Sequence, residues 1–237
     1  MSYIRIVSLL ISVDDKRIGV LPLSFPGKII RKIQAMGKSP FNLDPRDRQT
    51  WAEGEILFKS DTEHPEKQWI CHPQYQDPAE LSFVNGNISF HVKAATQDEW
   101  AYVYMDPGQY SWEDYSWQTT FRRMTRFQEY AFNFRYVDFD NRYRYRFEDD
   151  ILFFDSKIRG KWRAHARMPF PMALGAWYDL RIDTRKDRHR CYVNGLRMME
   201  NREPSVRSGS ISIILWETDG ATDAVAEVGP STVRRLF

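Results

Sequence analysis

The sequence predicts an all-β protein, a sandwich of two antiparallel sheets preceded by a short N-terminal extension. Three observations predict this fold class. After Trp51, runs of alternating apolar and polar residues recur about every 8 to 12 residues, and turn-forming residues separate them. No long amphipathic helical pattern follows residue 50, which excludes a parallel sheet with helical crossovers. The 237 residues are 42% hydrophobic, enough to bury one substantial core.

The start of the chain differs from the rest. Residues 7–13 and 19–25 alternate as strands, and residues 29–37 carry a short helical pattern that ends at a glycine. A loop rich in proline and aspartate follows. We therefore expect two units, an extension of residues 1–50 that packs on the main domain and a β-sandwich domain of residues 51–237.

The main domain is predicted to be strand after strand. Asn85-Gly86 lies between two alternating runs in residues 81–92, a strong hairpin signal because both turn positions need a positive φ. A second hairpin is predicted at residues 131–147. The remaining strands are predicted at residues 100–105, 115–123, 151–154, 176–183, 189–193, 209–216 and 224–236.

The hairpin at residues 131–147 turns at residues 138–141. Side chains of a strand alternate between two faces, so six aromatic rings share one face and four arginines share the other. The arginines are Arg135, Arg142, Arg144 and Arg146. Two interpretations stay open. Either carboxylates such as Glu148 or Asp179 pair with the arginines, or this face binds carboxylate, sulfate or phosphate groups of an acidic ligand.

The charge balance argues against a nucleic-acid partner. The chain has 34 basic and 32 acidic residues, a net charge of +2, whereas a dedicated nucleic-acid binder shows a stronger basic excess. No run approaches the roughly 18 apolar residues that span a membrane. We therefore expect neither nucleic acid nor membrane as a partner.

Two further expectations concern location and redox state. The apolar stretch at residues 6–13 is too short for a signal peptide and has no cleavage site after it, which favours the cytoplasm. If a signal has been removed, the location is secreted or periplasmic. Cys71 and Cys191 form neither a disulfide framework nor a zinc site by their spacing, and we expect two thiols.

Six short motifs in order resemble one fold family, the concanavalin A-like lectin and glucanase jelly roll. The resemblance is nearest to the laminin-G-like and keto-disaccharide hydrolase-like domains, which are similar to family 16 glycoside hydrolases. It implies two stacked sheets with a groove across which a glycan lies. The motifs are Phe58-Lys59-Ser60-Asp61 with Trp69, Val84 to Ile88, Phe134 to Tyr145, Trp177 to Ile182, Tyr192-Val193-Asn194-Gly195 and Gly209 to Ile213.

Candidate catalytic residues follow from what glycoside hydrolysis needs, two carboxylates roughly 5 to 9.5 Å apart. The Glu-x-Asp-x-x-Glu strand motif of the laminarinase-like branch is missing, which counts against a retaining glucanase. Glu217 and Asp219 are spaced for one strand face, so they are the candidate acid and base. A strand end capped by these two carboxylates is the alternative.

Other side chains suit sugar binding or metal binding. Tyr110, Trp112 and Trp117 are candidate sugar-stacking residues because aromatic rings offer a large apolar face, although most aromatics of a sandwich belong to its core. Asp138 and Asp140 are candidate ligands of a structural calcium ion, which prefers clustered oxygens.

These observations predict a carbohydrate-binding or carbohydrate-processing jelly roll whose partner is an oligo- or polysaccharide, with an acidic sugar favoured by the arginines. If the protein is an enzyme, hydrolysis or elimination at a glycosidic bond is expected, as in glycoside hydrolases and polysaccharide lyases. The alternative is a non-catalytic module whose exposed sheet face binds a protein. The fold alone does not decide between them.

Overall fold

The structure is a computed structural model that describes residues 9–13, 16–21, 51–71, 79–93, 102–126, 128–217 and 222–237. The chain divides into two compact units, Met1–Asp47 and Arg48–Phe237. In the first unit, β1 (Leu9–Val13) and β2 (Lys16–Leu21) pair as an antiparallel hairpin. The helix predicted at residues 29–37 lies outside the described residues.

The described residues of the second unit form strands and one 3-10 turn, at Pro65–Lys67. The strands are β3 (Glu53–Lys59), β4 (Ile70–Cys71), β5 (Ala79–Val84), β6 (Asn87–Val92), β7 (Tyr102–Asp106), β8 (Tyr115–Arg123), β9 (Gln128–Asp138), β10 (Asn141–Glu148), β11 (Ile151–Ile158), β12 (Lys161–Pro169), β13 (Tyr178–Arg185), β14 (Arg188–Val193), β15 (Leu196–Arg202), β16 (Ser210–Glu217), β17 (Ala224–Val228) and β18 (Thr232–Leu236).

The described strands of this unit form two antiparallel sheets. One has seven strands in the order β12-β11-β10-β9-β16-β7-β4. The other has nine, in the order β15-β14-β13-β8-β17-β6-β5, and β18 joins β8 to β3 beside this path. The predicted all-β sandwich is confirmed, because consecutive strands pair without helical crossovers in the described chain.

The core lies between the two sheets and is rich in aromatic rings. On β9 and β10, Phe132, Phe134, Tyr143 and Tyr145 are fully buried and face it, as the alternation of the sequence predicts. Phe132 packs edge-on against Trp117 of the other sheet at a ring distance of 5.6 Å. Burying each large ring stabilises the sandwich by roughly 1.5–3 kcal/mol.

A β-bulge in β9 breaks the predicted alternation. Arg135 has a positive φ of 44°, and the pairing of β9 with β16 shifts there. Tyr136 consequently packs with Ala131 and Ile214 on the outer face of the seven-stranded sheet rather than in the core. Arg135 therefore does not share a face with the arginines of β10, contrary to the prediction from alternation.

Four described strands of the second unit escaped the sequence-based prediction, β3, β4, β12 and β15. Each lies at the end of a sheet or of its branch in the described chain, and most of their residues are exposed or half-buried. A strand that buries neither face gives little apolar alternation, so the main signal for a strand is missing.

Two further observations concern the cysteines and membrane-spanning helices. Cys71 and Cys191 are both thiols, as predicted. In the described part of the chain, no helix has the length and apolar character that a membrane crossing requires.

Candidate functional site

The arginines of β10 form a buried layer on the outer face of the seven-stranded sheet, which we call the arginine face (Arg142, Arg144, Arg146 and their partners). Arg144 lies in register between Asn133 of β9 and Asp155 of β11. Its Nη1 donates to Glu129 Oε1 at 2.5 Å and its Nε to Asp155 Oδ2 at 3.1 Å. The side chains of Arg144, Glu129 and Asp155 are all buried.

Arg146 completes this charge network. Its Nε donates to Asp155 Oδ2 at 2.6 Å, and its Nη1 contacts Glu129 and Glu148. Burial raises the pKa of the Glu129 carboxyl, and the charges of Arg144 and Arg146 oppose that rise. Two guanidinium groups thus face three carboxylates, so the local charge is largely compensated.

Aromatic rings cover the remaining guanidinium surface. Arg142 is fully buried, with its guanidinium 4.3 Å from the Phe139 ring centre and 4.9 Å from that of Trp162. Arg144 lies 3.9 Å from the Trp162 ring centre. Arg144 and Arg146 are therefore ion-paired and Arg142 is enclosed, which agrees with the first of the two interpretations that the sequence left open. Glu148 is one of the partners named there, whereas Asp179 lies on the other sheet.

Arg135 lies elsewhere because of the bulge. Its guanidinium donates to the Val206 carbonyl at 2.8 Å, to the Glu113 carbonyl at 3.1 Å and to Asp114 Oδ1 at 3.3 Å. Only 1% of the residue is exposed. Gly209 allows the bulge to form, because a Cβ at this position would lie 2.5 Å from the Arg135 carbonyl carbon.

Arg135 lines a cavity of about 440 Å³, which we call the end pocket. The other lining residues come from three connections: β7 to β8, β13 to β14 and β15 to β16. The full lining is Glu113, Asp114, Arg135, Lys186, Asp187, Pro204 and Arg207. Its volume is in the usual range of small-ligand sites, and its loops stand on a rigid scaffold.

Hydrogen bonds fix the walls of the end pocket. Asp114 Oδ1 accepts from the Lys186 backbone N–H at 2.7 Å, which ties two of the connections together. The Tyr115 hydroxyl accepts from the Arg135 N–H at 2.7 Å, and the Tyr143 hydroxyl accepts from the Val206 N–H at 2.6 Å. Burial raises the pKa of Tyr143 to about 12 and also raises that of Tyr115, so both hydroxyls stay protonated.

Two predicted aromatics lie on a loop that forms one wall of this pocket. The rings of Tyr110 and Trp112 stack at 4.4 Å, and Tyr110 is 40% exposed. The Trp112 carbonyl accepts from the Gly209 N–H at 2.9 Å, which joins the loop to the bulge region. In the sequence, Trp112 directly precedes the pocket residues Glu113 and Asp114, and Tyr110 lies two residues before Trp112.

Trp117 does not lie at a surface, contrary to our prediction. It is 1% exposed within the core, and its Nε1 donates to Ser231 Oγ at 3.1 Å. A ligand that approaches from solvent cannot reach its ring, so Trp117 belongs to the packing of the sandwich.

The predicted calcium ligands have other partners. Asp138 Oδ1 accepts from the Asp140 N–H at 2.8 Å and from the Asn141 amide at 3.0 Å, while Asp140 pairs with Lys157 at 2.8 Å. Among the described residues, no group of three or more His, Cys, Asp and Glu side chains could hold a metal ion. The described chain thus offers these two carboxylates no third ligand of those types.

The predicted catalytic pair is not tested by the geometry. Glu217 ends β16, but its side chain lies outside the described residues, and so does Asp219. Of the predicted binding residues, the structure brings Arg135 and the Tyr110–Trp112 loop together and places Arg142, Arg144 and Arg146 on a different face.

Sequence reasoning missed the charged loop residues of the end pocket. Lys186-Asp187 is recognisable as a tight turn, and Lys186 has a positive φ of 52°. Which loops meet in space depends on the strand order of two sheets, so Arg207 and Lys186 carry no signal in the sequence of being neighbours.

No protein-family model and no curated protein sequence matches this chain. Solved structures do match in fold. A protein of unknown function with a galectin-like fold from Bacillus subtilis matches with a TM-score of 0.62 at 13% identity, over 78% of this chain and 98% of that chain.

Two further structures have names that mention carbohydrates. A β-1,3-1,4-glucanase (lichenase) derived from a mouse hindgut metagenome matches with a TM-score of 0.61 at 10% identity, over 76% of this chain and 99% of that chain. The carbohydrate binding module CBM66 from Bacillus subtilis matches with a TM-score of 0.54 at 14% identity, over 68% of this chain and 92% of that chain. At these identities the similarity shows the fold, a concanavalin A-like jelly roll.

Proposed function

We propose that this protein is a carbohydrate-binding or carbohydrate-processing jelly roll and that its end pocket holds an acidic unit of an oligo- or polysaccharide. One observation carries the proposal. Lys186 and Arg207 line the pocket around the buried Arg135, and in the described chain neither of the two has a carboxylate partner. Cationic groups without partners beside a buried guanidinium are a suitable environment for a carboxylate or sulfate.

The other lining groups suit the hydroxyls of a sugar. Glu113 and Asp187 supply carboxylate acceptors, so the pocket offers donors and acceptors together. The exposed ring of Tyr110 lies on the loop that leads into the pocket and offers an apolar face for a neighbouring sugar ring. An acidic sugar flanked by hydroxyl groups matches this combination.

The structural neighbours support the same class of ligand. One is named as a carbohydrate binding module and another as a β-1,3-1,4-glucanase, so this fold serves both binding and hydrolysis of polysaccharides in proteins of similar architecture. The buried carboxylates Glu129 and Asp155 are ion-paired with arginines rather than presented to a substrate, so any cleavage would depend on other carboxylates.

The test is a glycan array on the whole chain, with neutral, uronic and sulfated oligosaccharides side by side. We expect uronic or sulfated glycans to bind and the variants Lys186→Ala and Arg207→Ala to lose most of that binding. Arg167→Ala, which removes an exposed arginine of β12, is the matched control and should bind as the unchanged protein does.

Each bound glycan is then incubated with the protein and analysed by mass spectrometry. Cleavage of a bound glycan would establish a glycoside hydrolase or lyase, and binding without cleavage would establish a binding module. If no glycan binds, the proposal is overturned in favour of a protein-interaction module.

A further inference from the structure

A second cavity lies on the outer face of the nine-stranded sheet, and we call it the sheet groove. Its volume is about 370 Å³. It shares no lining residue with the end pocket. Its lining is Gln118, Thr119, Thr120, Asp179, Leu180, Arg181, Tyr192, Gly195, Pro230 and Thr232.

The polar residues of the sheet groove form a row across four strands. Gln118 of β8 is in register with Arg181 of β13 on one side and with Thr232 of β18 on the other. Arg181 is in register with Tyr192 of β14. With strands roughly 4.8 Å apart, this row is roughly 14 Å long, a length that fits about three sugar units.

Arg181 is held rigidly in this row. Its guanidinium lies 3.9 Å from the centre of the Tyr192 ring, and its Nε lies 3.4 Å from Asp183 Oδ1. The side chain is still 30% exposed, and its Nε has no hydrogen-bond partner among the described residues. A fixed, partly exposed guanidinium binds ligand oxygens at a small cost in side-chain entropy.

The neighbours of Arg181 supply both donors and acceptors. Gln118 Nε2 donates to Glu53 Oε1 at 3.1 Å, which orients the amide. Thr120 and the exposed carboxylate of Asp179 lie opposite each other in the next row. The charge of Arg181 is balanced by Asp179 and Asp183, so the described lining of the sheet groove has no cation without a carboxylate nearby, in contrast to Lys186 and Arg207 of the end pocket.

We infer that the sheet groove is a second binding site and that it takes a neutral oligosaccharide. A carboxylate and a guanidinium on one strand, with hydroxyl and amide groups on the next, match the alternating donors and acceptors of sugar hydroxyls. This inference rests on the proposed function, because it assumes that the ligand is a carbohydrate. Two separate sites on one chain would strengthen attachment to a polymer that reaches both of them.

The test measures two affinities by isothermal titration calorimetry. One probe is neutral laminaritetraose, and the other is the best uronic oligosaccharide from the array. Arg181→Ala is expected to weaken laminaritetraose binding about tenfold, the effect of losing one charged hydrogen bond, and to leave the uronic ligand unaffected. Lys186→Ala is expected to weaken binding of the uronic ligand and to leave laminaritetraose binding unaffected.

Thr120→Val removes a groove hydroxyl and leaves the Arg181–Asp183 contact in place, so it should weaken laminaritetraose binding without affecting folding. Unchanged laminaritetraose affinity in both groove variants would overturn the inference while the proposed function stands. The same holds if the neutral probe does not bind but the uronic one does. If neither probe binds to the unchanged protein, the proposed function fails as well.

Discussion

Arg144 Nη1 lies 2.5 Å from Glu129 Oε1, and both side chains are buried on the outer face of the seven-stranded sheet. The two residues come from neighbouring strands, and Asp155 on the third strand accepts from the same guanidinium. A buried ion pair adds little net stability by itself, but the loss of one partner leaves an uncompensated charge away from water. The arginine face is therefore a structural part of the sandwich.

Arg144→Met tests this role. The variant keeps a long apolar side chain but leaves Glu129 with a weaker charge partner, so we expect the free energy of unfolding to fall by about 3–5 kcal/mol. The measurement is urea unfolding followed by tryptophan fluorescence. Arg163→Met, in an exposed position of β12, should change the free energy of unfolding by less than about 0.5 kcal/mol. Equal effects of the two substitutions would contradict the structural role.

His189 makes stability depend on pH. It is fully buried, its Nδ1 lies 2.9 Å from Thr184 Oγ1, and its Nε2 lies 3.0 Å from the Glu203 carbonyl. Nε2 must donate to that carbonyl, so Nδ1 accepts from the Thr184 hydroxyl and the ring is neutral. Burial lowers the pKa of His189 from 6.5 to about 4.

The direction in which stability changes with pH follows from proton binding. Between pH 6.5 and about 4 the unfolded chain binds a proton that the folded chain does not, so stability falls as the pH falls through this window. From pH 7 to pH 5 we expect a loss of about 2 kcal/mol from this residue. Urea unfolding at both pH values measures this loss of stability. His189→Gln should remove most of the difference, and an unchanged difference in that variant would assign it to other groups.

Gly209 is predicted to control the bulge that places Arg135. A Cβ at Gly209 would lie 2.5 Å from the Arg135 carbonyl carbon and 2.7 Å from the Tyr136 nitrogen, which are backbone atoms that cannot swing away. We expect Gly209→Ala to destabilise the fold by more than about 2 kcal/mol and to weaken glycan binding in the end pocket.

Gly175→Ala is the control for that substitution. Gly175 has a positive φ of 72°, but apart from its chain neighbours no atom lies within 4 Å of the position that a Cβ would occupy. It should cost only the strain of the left-handed conformation, about 1 kcal/mol. If both substitutions cost the same in thermal unfolding, the close approach of Gly209 to the bulge is not what matters.

The parts of the fold that were predictable depend on local signals. Asn85 and Gly86 have positive φ values of 53° and 75°, as a two-residue hairpin turn requires, and β8 spans the predicted residues Tyr115–Arg123. In both cases neighbours in the sequence determine the structure. The same alternation predicted the buried aromatic face of β9 and β10.

The position of Arg135 could not be predicted in this way. The bulge that turns it away from the arginine face depends on Gly209, which lies just before β16, a strand distant in sequence. The end pocket likewise needs Lys186 and Arg207 to meet Arg135, and their meeting depends on the order of strands in two sheets. Alternation identifies the face of a residue only while the register is unbroken.

Substitutions of Asp114 test how the negative charge beside Arg135 affects binding of an acidic sugar in the end pocket. Asp114 Oδ1 contacts the Arg135 guanidinium at 3.3 Å and accepts from the Lys186 N–H at 2.7 Å. In Asp114→Asn the amide oxygen can keep both contacts, while the negative charge beside Arg135 is lost. We therefore expect binding of a uronic oligosaccharide to become a few-fold tighter at low salt, because one repulsive charge is removed.

Binding of the neutral probe laminaritetraose should not change in Asp114→Asn, since the sheet groove has none of these residues in its lining. Asp114→Ala serves as the contrast. It removes the acceptor as well as the charge, so the tie to the Lys186 connection is lost and uronic binding should weaken. Calorimetric titrations of both variants at two salt concentrations decide the matter. Weaker binding in Asp114→Asn would mean that the carboxylate itself contacts the sugar, whereas tighter binding would place the ligand's acidic group beside Arg135.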